Sequence, residues 1–348
     1  MNIFSSKGRA SGVLVLASAA VVMLSLSGCT SGAASTSSGP AAGGKTSGHI
    51  TVAYMQKQGD QQYFIDEANG ATQAAKALGN VTVKVINLGT DSNLSISQEQ
   101  AVIAQKVNGI IIVVPDQKIG PQTTSLANAA KIPIMSSDDP LLNAQGVQAP
   151  FAGFNSTSMG QKVGAEAAKL YLASGFSAGD TRVISAGEQD LSDCTQRASG
   201  EASGFTSGLK GAAAPATIAL GTDNSVTQAQ DKAGAIITAN PGVKNWVVWG
   251  CNDESETGVV TALQNAGVSA DHIDGVGLGA YLDCKDWKAG QKTGNKASLF
   301  ISGVAVGKTA LTAMVKHIRD GAPLPKSAIA PTVMVDASNY VAAGVVCV

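Results

Sequence analysis

Asp138 and Asp139 stand side by side ahead of Pro140, at the end of a short apolar run. An ionised carboxylate accepts two hydroxyl protons at once, and hydrogen bonds to a charged acceptor are among the strong ones. Adjacent acids of this kind suit a clamp for a compound carrying several hydroxyl groups. Lys57 would supply a donor and the counter-charge, Asn252 both a donor and an acceptor, and Tyr63 a flat face for C–H groups. Each has a plainer reading beside it. Asp138-Asp139-Pro140 can be a turn with a capping Asp, and Lys57 a solvated charge. Asn252 or Asp253 can cap a helix that starts there, and Tyr63 can belong to the apolar face of its own helix.

These residues need a frame, and the apolar pattern supplies one. Short apolar runs at 50–55, 81–88, 110–114 and 132–136 read as strands, separated by helical patterns over 63–78, 97–106 and 121–130. Gly79-Asn80 marks the first helix stop, and Ser97 with Gln100 three residues on reads as a capping box. The five-residue β-branched run 110–114, closed by Pro115, fits a strand buried on both faces. The same beat resumes after Phe154, with strands at 181–186, 216–220, 245–250 and 273–278 and helices ending near Ser174, Leu209, Asn240 and Asn265. Repeated βα units imply parallel sheets with helices on both faces, hence an α/β protein. Two doubly wound lobes suit the strand count best; a closed barrel of eight units is the alternative. Ligands of open α/β sheets sit at the carboxyl ends of the strands. Residues found there are Lys57, Gln61 and Tyr63, then Asp116, Asp138 and Asp139, then Asp190, Asp193 and Thr195, then Cys251, Asn252 and Asp253, and finally Tyr281 and Asp283.

Composition narrows the classes. The chain has 348 residues, a formal net charge of −1 and 14% charged residues, so it lacks the basic face that nucleic acid needs. Aromatic residues make up only 4%, which makes each Tyr and Trp near a site worth weighing singly. The three histidines (His49, His272, His317) are scattered and no two cysteines have C-x-x-C spacing, so no metal site is expected. The segment 303–309 ends like a P-loop but is one residue short between its glycines, and the glycines at 275, 277 and 279 lack dinucleotide spacing. No Ser-His-Asp order suggests a nucleophile, and no cofactor is implied.

The start of the chain speaks for the compartment. Lys7 and Arg9 precede an apolar run over 13–24, followed by Leu26-Ser27-Gly28-Cys29. A basic start, an apolar core and small residues before a cut are the parts of a secretory signal. The run is shorter than the ~20 residues of a spanning helix. Ending in Cys29, the signal resembles the lipobox of bacterial lipoproteins, which implies lipidation of Cys29 and an exported, membrane-tethered protein. Residues 30–48 are mostly Ser, Gly, Ala and Thr and read as a flexible tether. Outside the cytoplasm, the remaining Cys194, Cys251, Cys284 and Cys347 suggest two disulfides, for which three pairings exist.

From about Ile50 onward the chain resembles the type I periplasmic sugar-binding proteins of ABC importers, most closely the L-arabinose/ribose-binding branch. The stretches that carry the resemblance are Lys57-Gln58, Tyr63-Phe64, Val114-Pro115-Asp116, Asp138-Asp139, Val243-Lys244-Asn245-Trp246 and Asn252-Asp253. The resemblance implies two Rossmann-like lobes with parallel sheets joined by a three-crossover hinge and closing like a flytrap. The N-terminal lobe would take 49–153 and 303–330, and the C-terminal lobe 154–302 and 331–348, after a signal at 1–28 and the tether at 29–48. By the same resemblance Lys57, Asp138, Asp139 and Asn252 hold hydroxyls, Tyr63 is an aromatic wall and Gln61 stands where the family often has an acid. Where the family has a ligand-holding arginine this chain presents Thr195, with Arg197 two residues later. The family's Asn and Asp are replaced by the stretch 279–283 with Tyr281 and Asp283. These departures favour a linear polyol or another small sugar over a pyranose pentose. All four cysteines would fall in the C-terminal lobe, with Cys194–Cys251 the favoured pair.

The expected protein is therefore a monomeric, lipid-anchored, extracytoplasmic binder of a small neutral sugar or polyol, serving an ABC permease and ATPase without catalysis. The alternatives are a receptor subunit reporting a sugar or signal molecule to a membrane sensor, and a lipid-tethered glycosidase or esterase. A repressor is excluded by the export signal.

Overall fold

The structure is a computed structural model that describes residues 48–348. The signal segment, Cys29 and nearly all of the tether lie outside the described residues.

The first half runs β1 (Ile50–Gln56), α1 (Gln62–Leu78), β2 (Val81–Asn87), α2 (Ser92–Ala104), β3 (Gly109–Ile112), α3 (Gly120–Ala130), β4 (Ile134–Asp138) and β5 (Phe151–Gly153). The second half runs α4 (Ser156–Ser174), β6 (Thr181–Gly187), α5 (Ser192–Gly208), β7 (Ala216–Gly221), α6 (Val226–Ala239), β8 (Asn245–Gly250), α7 (Asp253–Asn265) and β9 (Ile273–Gly279). Then come α8 (Asp283–Lys288), β10 (Asn295–Ile301), α9 (Gly303–Asp320), β11 (Ala328–Ile329) and β12 (Thr332–Val335). The strands form two six-stranded sheets with the orders β11-β5-β4-β3-β1-β2 and β12-β10-β9-β8-β6-β7. All pairings are parallel except the antiparallel one between β10 and β12.

The two sheets repeat one topology, and each reverses its strand order next to its first strand, between β1 and β3 and between β6 and β8. Those are the places where side chains at the strand ends look into an open crevice. The chain passes between the sheets three times, from β5 into α4, from β10 into α9 and from β11 into β12, so the fold is two α/β lobes on a three-strand hinge.

Period-2 alternation sorts β1 between two cores. Val52 and Tyr54 face α1 and α9 together with Ile111, Leu311 and Met314. Ala53 and Met55 face the other layer with Ile110, Ile112, Val102 and Leu141. The second lobe repeats this, with Trp249, Phe205 and Leu299 on one face and Trp246, Val248 and Leu263 on the other. Each such fully buried aliphatic side chain contributes about 1.5–3 kcal/mol.

Two helix pairs pack unusually close because small residues face each other. On α1 and α9 a Cβ at Gly307 would meet the Glu67 carbonyl, and one at Gly70 the Val304 carbonyl. On α4 and α5 the same holds for Gly164 against the Glu201 carbonyl and Gly160 against that of Arg197. The second pairing carries α5, and with it Asp193 and Arg197, at a fixed height over the cleft.

Most element boundaries follow the apolar pattern, with instructive exceptions. The second helix starts at Ser92 and not at Ser97, because Asp91 accepts from the Asn93 and Leu94 N–H groups and caps it there. The Ser97 hydroxyl instead donates to the Leu94 carbonyl inside the helix. The short β5, β11 and β12 and the strand β10 escaped the sequence reading, because two- to four-residue strands have no period to show and Asn295–Ile301 opens with polar residues.

Candidate functional site

The carboxyl ends of β1 and β4 bring Lys57, Asp138 and Asp139 together. Lys57 Nζ donates to Asp139 Oδ2 at 3.2 Å, and both side chains are nearly dry. Tyr63, in the first turn of α1, donates its hydroxyl to Asp138 Oδ1 at 2.8 Å. Asp138 has φ of 60°, a left-handed conformation that Asp tolerates better than most residues. The turn turns the two successive carboxyls toward different partners. Beneath them Glu67 accepts from the Ser137 hydroxyl, which also meets Tyr54 Oη at 3.0 Å.

The opposite lobe contributes Asp193 and Arg197 from the start of α5. Asp193 Oδ1 accepts from Gln117 Nε2 of the first lobe at 2.9 Å and from the Ser156 hydroxyl at 3.1 Å. Lys118 Nζ reaches the Asp190 carbonyl at 3.4 Å, a second polar contact across the cleft. Arg197 Nη1 donates to the Cys251 carbonyl at 3.0 Å; among the described residues its buried Nε finds no acceptor, and no N–H or hydroxyl group donates to Asp193 Oδ2. Aromatic rings cluster beside the acids: Tyr63 lies 6.4 Å from both Phe154 and Tyr281, centroid to centroid.

The charges are unevenly tuned. Burial, then the Asp139 charge, lifts the Asp138 carboxyl to about 6 against the pull of Arg197. Burial works to raise Asp139 too, but the Lys57 ammonium, Asp193 and Arg197 outweigh it and hold the carboxyl below its usual range. Asp193 is pushed up to about 9 by burial and by the charge and hydrogen bond of Asp139. Glu67 is pushed well up by burial and the Asp138 charge. Burial works to lower Lys57, yet the surrounding acids, Asp139 foremost, raise it on balance. The set offers acceptors, protonated carboxyl donors and apolar ring faces around one closed space. That is the equipment for holding a hydroxylated molecule. Among the described residues no group of His, Cys, Asp and Glu could hold a metal ion.

The structure divides the expected residues. Lys57, Tyr63, Asp138, Asp139 and Arg197 converge, and Tyr281 joins them as a wall whose hydroxyl donates to the Ile301 carbonyl at 3.1 Å. Gln61 is half-buried at the N-terminus of α1, with no side-chain capping bond. Thr195 does not take the place of an arginine. It is exposed, with its hydroxyl on the Ser192 carbonyl, and Arg197, one helical step further, is the group turned toward the acids. Asn252 is occupied as a helix cap: Oδ1 accepts from Ser255 N–H, and Nδ2 donates to the Asn224 carbonyl and to Glu254. Asp283 is fully buried below the cleft wall, where Thr257 donates to it and Asp253 and Glu256 crowd it. Asp116 caps the turn before α3 through Lys118 N–H and pairs with Lys118 Nζ at 3.4 Å. All of these follow a strand; the side chains of Thr195, Asn252 and Asp116 serve nearby backbone groups, and that of Asp283 is taken up by Thr257.

Asp193, Gln117, Ser156 and Phe154 complete the cleft and were absent from the expected ligand set. Asp193 does follow β6, so the strand-end rule pointed to it. Nothing in the sequence showed that Gln117, 76 residues away in the other lobe, would donate to it. The disulfides join Cys194 to Cys251 and Cys284 to Cys347, with Cα atoms 5.0 and 5.6 Å apart. The first ties α5 to the end of β8 beside Arg197, and the second ties the C-terminal tail to α8.

The periplasmic binding protein domain family matches residues 52–322. The L-arabinose-binding periplasmic protein of Escherichia coli (strain K12) is 25% identical over 260 residues, covering 73% of this chain and 77% of that protein. Among solved structures, the Caulobacter myo-inositol binding protein bound to myo-inositol superposes with a TM-score of 0.73 at 21% identity, covering 86% of this chain and 97% of the other. An ABC transporter periplasmic solute binding protein from Actinobacillus succinogenes 130z with bound D-allose gives 0.72 at 23% identity, covering 84% and 100%. With two hinged lobes, a polar cleft at their strand ends and a family match over most of its length, this chain belongs to the periplasmic binding protein domain family.

Proposed function

We propose that the protein is an extracytoplasmic, lipid-anchored solute-binding protein that hands a small neutral sugar or sugar alcohol to an ABC importer. The observation that carries this reading is the cleft itself: Asp138, Asp139 and Lys57 from one lobe face Asp193 and Arg197 from the other across a space walled by Tyr63, Phe154 and Tyr281. A solute with several hydroxyls bridges the lobes there, and only the closed state offers both sets of contacts. That differential contact shifts the population toward closure, and the closed form is what a membrane permease would recognise. The names of the relatives, an L-arabinose-binding protein and structures holding myo-inositol and D-allose, support a compact polyhydroxy solute. Anchoring through Cys29 rests on the sequence pattern around it. Among the described residues no helix is long and apolar enough to cross a membrane.

The test is a thermal-shift and calorimetric screen against pentoses, hexoses, inositols and alditols. A ligand that binds only the native state at a hundredfold excess over its Kd adds about 2.7 kcal/mol, a clear rise in Tm. Asp139→Ala should then weaken the best binder at least tenfold, about 1.4 kcal/mol, with the fold intact. No rise with any member of the panel, in protein shown to be folded and solute-free, would sink the proposal.

A further inference from the structure

Three acids and two cations meet in the closed cleft. Asp138 and Asp139 come from the end of β4, Lys57 from the end of β1, and Asp193 and Arg197 from α5 of the other lobe. Lys57 is engaged with Asp139. Arg197 directs Nη1 to the Cys251 carbonyl, and Lys118 directs its ammonium to the Asp190 main chain and to Asp116. Among the described residues no cation therefore forms an ion pair with Asp193, which is only 3% exposed. Its Oδ1 is held from both sides by Gln117 and Ser156; its Oδ2 is buried with no N–H or hydroxyl group donating to it, and the carboxyl lies against that of Asp139, with which it can share a hydrogen bond only if one of the two keeps its proton. A carboxylate left half-satisfied in a dry space is costly. A neutral solute brings no charge to offset it.

We propose that Asp193 enters the solute-loaded cleft as a neutral carboxylic acid whose O–H donates across the lobes to the Asp139 carboxylate, so that capture takes up one proton from water. This rests on the reading of the cleft as a binding site for a neutral polyhydroxy solute. It makes Asp193 a contact that locks the two lobes together, and a cationic group on the solute is not required. The groups that face Asp193 agree. Asp139 and Asp138 repel a second and third charge, and Lys57 is shared with Asp139. Gln117 and Ser156 are neutral. Arg197 on its own helix and the Lys57 ammonium are the opposing influences, and Glu201 one turn further is itself pushed up by burial. Burial and Asp139 together push the Asp193 carboxyl up to about 9.

The sign follows by linkage. In the open, wetted cleft Asp193 returns toward the ordinary value near 3.9. The closed form thus binds the proton more tightly, affinity is full at low pH, and it falls as pH rises toward the closed-state value. Asp138, raised to about 6, acts in the same sense lower on the scale; Glu254, raised to about 7 by burial, enters the range above neutrality, and the Asp193→Asn profile separates it from Asp193.

The experiment is isothermal titration of the whole protein with myo-inositol, D-allose and L-arabinose between about pH 7 and 8.5, in buffers of different ionisation heat. For whichever of these binds, affinity should fall at least about tenfold across that range with uptake of close to one proton. Asp193→Asn, which keeps shape and a donor but cannot ionise, should bind more weakly at the acid end, vary by less than about threefold and take up no proton. A flat wild-type profile without proton uptake would overturn the inference and leave the solute reading standing. So would a slope retained in Asp193→Asn, which would put the proton elsewhere. Tighter binding of D-glucosamine with rising pH would overturn it by making Asp193 an anionic clamp for an ammonium. Failure of all three sugars to bind would remove the solute reading and this inference together.

Discussion

A double-mutant cycle on Lys57 and Asp139 tests whether the ion pair at the cleft floor works as a unit. Nζ and Oδ2 are 3.2 Å apart, and the side chains are 10% and 4% exposed. At that distance an effective dielectric near 20 gives about 5 kcal/mol of attraction, of which desolvation takes back a large part. Lys57→Met leaves Asp139 dry and unpaired beside Asp138; Asp139→Asn leaves the ammonium dry. Each single change should cost about 3 kcal/mol, a fall in Tm of several degrees in a chain of this length. The double variant removes both charges and should cost much less than the sum, a coupling of about 2 kcal/mol. Denaturant unfolding of the four proteins near neutrality reads this directly. The pH dependence has a definite sign. Asp139 is held below its usual range, so its share of stability is present above the unfolded value near 3.9 and is lost as pH falls through the folded one. Lys57 is raised, so its share is present below the unfolded value near 10.4 and is lost as pH rises through the folded one. The wild-type advantage should therefore be a plateau that shrinks at both ends. Single effects that add within about 0.5 kcal/mol would refute the reasoning.

Two further outcomes are expected. Gly307→Ala sets a methyl group against the Glu67 carbonyl, backbone that cannot swing aside, and should lower the denaturation midpoint by the equivalent of about 1–3 kcal/mol. Gly234→Ala, on the open face of α6, should raise it by about 0.5–1 kcal/mol. Cys29→Ala should shift the protein from the membrane to the soluble fraction of cells; continued membrane association and lipid labelling would count against the anchor.

The legible parts of this protein are those written in local pattern. The β-branched run around Ile111, the alternation through Val52 and Tyr54 and the Gly79 stop each report a strand or helix from a few neighbouring residues, and the βα beat reports a parallel sheet. Lys57, Asp138 and Asp139 were visible for the same reason: each follows a recognisable strand, and the strand end decides where the side chain emerges. Thr195 against Arg197 shows the limit. They are two residues apart on one helix, about 200° of rotation, so a small error of alignment exchanges a cleft group for a surface one. Asn252 and Asp283 show another. Whether a polar side chain serves a ligand or its own fold depends on what lies beside it, and for Asn252 that is a helix end needing a cap.

The sequence by itself determined the class of architecture, the pairing capacity of the cysteines and the acidic corner at Asp138-Asp139, because those depend on composition and on contacts within a few residues. Only the tertiary structure decided that Asp193 faces Asp139, that Gln117 reaches it from the other lobe, that Arg197 and not Thr195 turns toward the acids and that Cys194 bonds to Cys251. Those contacts join residues tens of positions apart, and they exist because two sheets of the same topology close their switch points over one space.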